Sequence, residues 1–184
     1  EILFSVKLPY LGITSFLRTG RYFIFGFKSG EILFLNHREF EEQFKLYIKL
    51  KKIKEETFEH CQKLEEIHIP DSVTQIEKGA FYYCRSLSKL TLGKKLEVID
   101  NNAFEGCSSL KQIEIPDSVE SIGEGAFTYC TSLEHVTIGN KLAYVAKSAF
   151  SWCNLTEITW GDGIAKIGDS AFACNQKLTT VSIP

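Results

Sequence analysis

The sequence contains no methionine, only four prolines and two tryptophans among 184 residues, and no excess of charge of either sign. Lysine and arginine number 21 against 23 acidic residues, so the chain lacks the positive field with which nucleic-acid-binding proteins neutralise phosphates. No apolar run approaches the roughly 18 residues of a membrane-spanning helix. We therefore expect no nucleic-acid partner and no membrane insertion of this segment. Because the chain begins at Glu1, we expect it to be a piece of a longer protein, whose targeting signals cannot be read here.

The composition is that of an ordinary soluble domain. Hydrophobic residues make up 44% of the chain and charged residues 24%, which excludes a disordered tail and a collagen-like rod. The sequence contains none of the motifs that mark phosphate-binding loops, nucleophile elbows, zinc-protease helices or calcium-binding loops. We therefore predict no catalytic residue, no cofactor and no enzymatic activity. The four histidines, which we expect at the surface, are His37, His60, His68 and His135.

A repeat with a period of 23 residues dominates the sequence. Six phenylalanines follow one another at spacings of 23, 23, 23, 23 and 22 residues, and the same apolar frame returns around each of them. The shorter spacing reflects one residue missing between Cys153 and Leu155, which we place in a loop because the frame survives it. The repeated phenylalanines are Phe58, Phe81, Phe104, Phe127, Phe150 and Phe172.

Each repeat combines a short strand, a turn and an irregular segment. Alternation of Ile113 and Ile115 with polar neighbours predicts a strand with one buried face. The turn that follows begins with proline in some repeats and with glycine in others, and the two kinds alternate over the first four complete repeats. The apolar offsets from Ile122 to Cys130 favour an irregular or single-turn helical segment. Because one such unit cannot bury its own apolar face, the repeats must stack into a solenoid with aligned rows of buried side chains.

The stretch from Leu110 to Cys130, Leu-x-x-Ile-x-Ile-Pro-Asp-Ser-Val-x-x-Ile-Gly-x-x-Ala-Phe-x-x-Cys, resembles the BspA-like class of leucine-rich repeats. The resemblance covers residues 58–184, with a weaker echo from residue 44, and it departs from the pattern at Cys174 and Trp160. It implies a right-handed solenoid with a parallel sheet on its concave side, and non-enzymatic binding of proteins or matrix components at a cell surface. We accordingly predict an α/β-type solenoid, a short arc of 23-residue coils, over residues 44–184.

The first 43 residues do not fit the repeat and are rich in aromatic side chains. Residues 22–27 and 31–35 are predicted to be strands joined by a glycine turn, with a preceding strand at residues 2–8. The stretch 19–36 also resembles one blade of a WD-type propeller. We predict an antiparallel β-meander that caps the solenoid, with a short helix at about 37–43, and keep a propeller remnant as the alternative.

Five of the six cysteines occupy one position of the repeat, three residues after the phenylalanine. No Cys-x-x-Cys pair or suitably spaced histidine is present to complete a tetrahedral site, so we predict no metal. Parallel side chains in stacked coils give poor disulfide geometry, and we therefore favour buried free thiols. The five are Cys61, Cys84, Cys107, Cys130 and Cys153, and Cys174 lies one residue off the row.

Two sets of side chains are candidates for binding a partner. Polar residues at the outward strand positions form rows that present either a ligand surface or a solubilising one. Residues two positions after each phenylalanine are mostly aromatic, and they serve either as binding anchors or as packing between coils. The candidates in the strand rows are Glu66, His68, Lys89, Gln112, Glu114 and His135, and those in the aromatic row are Tyr83, Tyr129 and Trp152.

A solenoid without a catalytic constellation predicts an interaction or adhesion module. Its partner would be another protein, and the BspA-like resemblance implies an extracellular-matrix or host-surface protein as partner and the cell surface or the exterior as location. The alternative is a cytoplasmic scaffold or regulatory segment of a larger propeller-containing protein, which the unpaired cysteines favour. The stretch Asn154-Leu-Thr156 is an acceptor sequon for N-glycosylation, and it tilts the assignment towards the outside of the cell.

Overall fold

The computed structural model describes residues 13–18, 22–27, 32–36 and 51–183 of the chain, which divides into two compact units, Glu1–Leu50 and Lys51–Pro184. The strands of the first unit are β1 (Ile13–Arg18), β2 (Tyr22–Phe27) and β3 (Ile32–Asn36). They form one antiparallel sheet in the order β1-β2-β3.

The predicted pairing of β2 with β3 is confirmed, whereas β1 was not predicted. A β-bulge between Ile13 and Ser15 shifts the register of β1, and a bulge breaks the alternation by which a strand is recognised in a sequence. The strand proposed for residues 2–8 and the helix proposed for 37–43 lie outside the described residues. The proposed capping role concerns packing against the second unit and stays a prediction.

The second unit is a parallel β-solenoid in which each complete coil contributes two strands. In chain order the strands are β4 (Lys52–Ile53), β5 (Glu66–His68), β6 (Gln75–Ile76), β7 (Lys89–Thr91), β8 (Val98–Ile99), β9 (Gln112–Glu114), β10 (Ser121–Ile122), β11 (His135–Thr137), β12 (Tyr144–Val145), β13 (Glu157–Thr159) and β14 (Lys166–Ile167). The odd-numbered strands from β5 to β13 are three residues long, and together we call them the long-strand ladder. The two-residue strands, β4 to β14 with even numbers, form the short-strand ladder.

The repeat pattern predicts one strand per coil. That prediction was incomplete, because each complete coil also contributes a second strand, to the short-strand ladder. A two-residue strand such as β10 is too short to show alternation, but it pairs in register, with Ile122 opposite Ile99 of β8. The six strands of the short-strand ladder form one sheet, whereas the long-strand ladder is divided into β5-β7 and β9-β11-β13. The parallel solenoid of 23-residue coils is confirmed.

Six phenylalanine rings stack face to face along the solenoid, as the period predicts. Centroids of neighbouring rings lie 4.9 to 5.6 Å apart, and their planes are within 10° of parallel. The four interior rings are fully buried, and aliphatic side chains of both ladders complete the core around them. Since each interior ring contacts one ring on either side, the row joins the coils into one core.

The segment around each phenylalanine is a run of single turns, as predicted. Its backbone N–H groups alternate between two kinds of acceptor. Tyr82 N–H donates to the Gly79 carbonyl of its own coil at 2.9 Å, while Phe81 N–H donates to the Ala103 carbonyl of the next coil at 2.7 Å. The segment is neither helix nor strand, but this alternation gives its backbone N–H groups hydrogen-bond acceptors.

A close approach between coils explains the glycine of the glycine turns. A Cβ on Gly139 would lie 2.5 Å from the carbonyl oxygen of Pro116, so no larger residue fits against the proline turn of the preceding coil. The Asp117 carboxylate accepts a hydrogen bond from Asn140 N–H at 2.9 Å and fixes the two turns together. The preceding pair of turns repeats both contacts.

The missing residue of the fifth repeat lies in a loop, as predicted, between Cys153 and Leu155. In other coils the leucine N–H donates to the cysteine carbonyl, as from Leu133 to Cys130 at 2.8 Å. The shortened loop brings the leucine too close in sequence to its cysteine for this turn. Leu155 N–H donates instead to Asn175 Oδ1 of the next coil, at 3.0 Å.

Asn175 takes the place that cysteine holds in the other coils. Its Nδ2 donates to the Phe150 carbonyl at 2.9 Å, as the Cys153 thiol donates to the Phe127 carbonyl at 3.2 Å. Its oxygen accepts the leucine N–H that the deletion leaves free, which a thiol does poorly. The amide therefore explains why the cysteine of the last repeat is displaced to Cys174, an exposed position.

Replacing Asn175 should destabilise the solenoid. Asn175→Ala leaves the N–H of Leu155 and the carbonyl of Phe150 without this partner, and we expect the free energy of unfolding to fall by about 2–3 kcal/mol. Asn175→Cys restores only the hydrogen-bond donor, so its free energy of unfolding should lie between those of the wild type and Asn175→Ala. Urea unfolding followed by circular dichroism measures both, with the exposed Gln176→Ala as control. Equal stability of Asn175→Ala and Gln176→Ala would contradict this account.

Candidate interaction surfaces

The outward side chains of the long-strand ladder form two aligned rows, which together we call the strand face. Parallel pairing places Lys89 beside Glu66, and His135 between Gln112 and Glu157. Every member is exposed, and inward residues of the same strands pack in the core. The strand face consists of Glu66, His68, Lys89, Thr91, Gln112, Glu114, His135, Thr137, Glu157 and Thr159.

One lysine–glutamate ion pair and one histidine–glutamate contact lie on the strand face. Lys89 Nζ is 3.5 Å from Glu66 Oε2, and His135 Nδ1 is 3.8 Å from Glu157 Oε2. Each of the four side chains is more than half exposed, and exposed ion pairs stabilise a protein by only about 0–1 kcal/mol. These side chains can therefore exchange their contacts for those of a partner at little cost to the fold.

The residues two positions after each phenylalanine form a second row, which we call the aromatic column. All of its members have left-handed backbone conformations, with φ between 53° and 73°. This region suits glycine and is rare for bulky residues, and its cost is about 1–3 kcal/mol per residue. The column carries aromatic side chains at several of these positions nevertheless. Its members are His60, Tyr83, Gly106, Tyr129, Trp152 and Cys174.

The two ends of the aromatic column differ in how their rings are covered. The ring of Tyr83 lies over Gly106, where a Cβ would meet it at 2.9 Å, and Arg85 lies 5.3 Å from the same ring. Tyr129 and Trp152 stack on one another, with centroids 5.9 Å apart and planes 26° from parallel. They remain 42% and 52% exposed. Tyr83 therefore packs between coils, whereas Tyr129 and Trp152 form an accessible aromatic pair.

The row of cysteines lies in the core as a set of free thiols. The thiols of Cys84, Cys107, Cys130 and Cys153 donate to phenylalanine carbonyls of the preceding coil at 2.9 to 3.4 Å. Burial raises the pKa of Cys84 and of Cys153 to about 12, and it also raises the pKa values of Cys107 and Cys130 well above the ordinary value of 9.0. Such thiols stay protonated and are poor nucleophiles.

A groove of about 250 Å³ beside the start of the aromatic column was not predicted from the sequence. Its residues come from three coils and share no sequence motif, so only the stacking brings them together. Partial burial, and next the charge of Glu105, raise the pKa of the Tyr82 hydroxyl. Among the residues that the structure describes, no three acidic, histidine or cysteine side chains lie close enough to hold a metal ion. The groove is lined by Glu56, Glu59, Lys78, Gly79, Tyr82, Asn102 and Glu105.

Stacked coils of one repeat, with a phenylalanine row and a thiol row inside, match one known family. The sequence profile of the BspA-type leucine-rich repeat region fits residues 30–142 and 97–184, in six copies. The chain belongs to the BspA-type leucine-rich repeat family. A comparison with curated proteins found no match.

Solved structures of leucine-rich repeat proteins share this fold. A leucine-rich repeat protein of T. pallidum is 26% identical, with a TM-score of 0.53, over 69% of this chain and 71% of its own. One from Bacteroides ovatus is 28% identical, with a TM-score of 0.55, over 72% and 41%. A leucine-rich cell surface protein of Faecalibacterium prausnitzii is 23% identical, with a TM-score of 0.54, over 90% and 53%. The BspA-type chain thus spans about half or less of the last two proteins.

Leucine-rich repeat proteins of this kind are generally protein-interaction modules, and they are typically non-enzymatic. In the part of the BspA-type chain that the structure describes, no helix is long and apolar enough to cross a bilayer. The structure places the predicted strand-row residues on one surface and the three aromatic candidates in another row.

Proposed function

We propose that this chain is a non-enzymatic binding module for another protein, displayed at the cell surface, and that its partner docks on the strand face. The observation that carries the proposal is the register of the long-strand ladder. It aligns polar side chains of successive coils into two exposed rows along the two parallel sheets of this ladder. A surface ordered before binding loses little conformational entropy when it binds.

The composition of the strand face indicates the chemistry of the partner. Acidic, basic, amide, imidazole and hydroxyl groups alternate along it, without a large apolar anchor. A partner would therefore match it through charge and hydrogen bonds, which favour specificity and rapid association. The cell-surface location is supported by the description of the F. prausnitzii neighbour as a cell surface protein.

The aromatic pair of Tyr129 and Trp152 is a second candidate surface for a protein partner, since exposed Tyr and Trp residues are frequent binding hot spots. Tyr83 contributes less in this arrangement, because its ring packs over Gly106. The alternative of an intracellular segment of a propeller protein gains no support, because the repeat match begins at residue 30, within the proposed blade.

A charge-balanced set of substitutions tests the strand face. The strand-face variant combines Lys89→Glu, Glu114→Lys, Gln112→Ala and His135→Ala. The matched control makes equivalent changes at exposed residues in or beside the short-strand ladder: Lys166→Glu, Glu120→Lys, Ser121→Ala and Tyr144→Ala. Both sets preserve net charge, apart from any charge on His135, and both change exposed residues only.

Binding is measured by biolayer interferometry against a panel of purified extracellular-matrix and host-surface proteins. For any protein that the wild type binds, we expect the strand-face variant to weaken the affinity by about tenfold or more, and the control to leave it nearly unchanged. Circular dichroism confirms that both variants fold. An equal loss of affinity in the two variants, or no loss in either, would contradict the proposal that the partner docks on the strand face.

A further inference from the structure

We propose that Asn154 is an N-glycosylation site and that the first sugar of its glycan packs on Trp152. The proposal rests on the cell-surface location above, because the modification occurs on chains that leave the cytosol. The sequence Asn154-Leu-Thr156 is the only Asn-x-Ser/Thr acceptor in the 184 residues. It lies before β13, in the loop that the one-residue deletion shortens.

Asn154 is half-buried, and its side-chain amide is partly open to solvent. Its backbone N–H is held by the Leu133 carbonyl at 3.1 Å, which fixes the loop. Within the described residues its side-chain amide has no hydrogen-bond partner, and it is not among the fully buried polar groups that lack one. The amide therefore reaches solvent, whereas Asn175 in the neighbouring coil uses its amide in the core.

Trp152 supplies an uncovered aromatic surface within reach of that amide. One face of its ring stacks on Tyr129, and the next residue of the aromatic column is the small Cys174. The side chain is left 52% exposed in a strained left-handed conformation that packing does not require, since glycine holds the same position at Gly106. The Cα atoms of Trp152 and Asn154, two residues apart, are separated by at most about 7 Å. One pyranose ring on Asn154 can cover this distance.

The chemistry of a sugar matches this surface. The amide nitrogen of Asn154 forms a bond to C1 of an oligosaccharide carried on a lipid pyrophosphate, and the bond from C1 to the phosphate oxygen breaks. The amide loses one proton, and the lipid pyrophosphate leaves. The first sugar of the product presents C–H groups on one face of its ring, and these are attracted to the negative face of an aromatic ring.

A glycan on Asn154 would cover Trp152 and leave the strand face free. A protein partner that docks on Trp152 is the rival occupant of this ring. If Trp152 binds a protein partner and not the glycan, replacing Trp152 would not change the stability that the glycan confers.

The test is expression of the full 184-residue chain behind a cleavable secretion signal in a eukaryotic host. We expect the secreted protein to carry added mass that peptide-N-glycosidase removes. Asn154→Gln and Thr156→Ala should each abolish it. The effect of the glycan on melting temperature is measured by comparing the glycosylated chain with Asn154→Gln, once with Trp152 present and once with Trp152→Ala, because Thr156→Ala would also remove the hydrogen bond from the Thr156 hydroxyl to the Glu134 carbonyl. We expect the glycan to raise the midpoint by about 2–4 °C only when Trp152 is present.

Tyr144→Ala, at another exposed aromatic residue, is the control and should leave the gain unchanged. Secretion of folded wild-type protein without added mass would overturn the modification site. An equal gain in stability with and without Trp152 would overturn its role as the platform and favour the rival occupant. No partner protein enters this assay, so its failure is distinguishable from failure of the strand face to bind.

Discussion

Phe127→Ala should lower the free energy of unfolding by about 3–5 kcal/mol, as expected for the truncation of a fully buried aromatic side chain. The Phe127 ring is fully buried, and it lies between the rings of Phe104 and Phe150 at centroid distances of 5.2 and 5.1 Å. Its removal exposes two ring faces at once and leaves a cavity that the coils on either side cannot close, because their spacing is fixed by the parallel ladders.

Urea unfolding of three variants measures this effect. Phe172→Ala makes the same chemical change at the last position of the row, where the ring is only half-buried, so it should cost clearly less. Thr131→Ala, at an exposed position in the coil of Phe127, should be nearly neutral. If Phe127→Ala and Phe172→Ala cost the same, burial between two rings does not determine the stability of the row.

The buried rows of the solenoid were predictable because they obey one period. A residue that recurs every 23 positions must occupy equivalent places in stacked coils, and this holds for the phenylalanines and the cysteines alike. The outward strand rows were predictable for the same reason, since alternation within a strand assigns each side chain to one face. What the partner is does not follow from that regularity, because exposed polar side chains obey no packing rule.

The features that were missed depend on single contacts rather than on periodicity. The role of Asn175 follows from a backbone N–H that a deletion in another coil leaves free, and pattern matching within one repeat does not reveal it. The left-handed conformation of the aromatic column did have a signal. Gly106 holds one of its positions. A second left-handed row, two residues before the phenylalanines, has its own signal, since it contains Gly79, Asn102 and Gly125.

Raising the pH above about 9 should destabilise the solenoid steeply. The thiols of Cys84 and Cys153 have pKa values of about 12 in the folded chain, and burial also raises the pKa values of Cys107 and Cys130 well above the ordinary value of 9.0. The folded state therefore holds protons that the unfolded state releases. Their contribution to stability is fully present below about pH 9 and is lost as the pH rises towards the folded pKa. Each thiol adds a slope of roughly 1.4 kcal/mol per pH unit, and four together add roughly 5.5 kcal/mol per pH unit.

Urea unfolding at pH 7, 9, 10 and 11 in the presence of a reductant measures the slope. Tyrosines and lysines also titrate in this range, so the test is the difference between variants rather than the wild-type curve alone. Cys130→Ala removes one buried thiol and should make the slope shallower by about a quarter, although it lowers stability at pH 7. Cys174→Ala removes an exposed thiol and should leave the slope unchanged. Identical slopes in these two variants would mean that the thiol row does not control alkaline stability. A shallower slope in Cys130→Ala alone would show that the buried thiol, which donates its proton to the Phe104 carbonyl, contributes to the loss of stability at high pH.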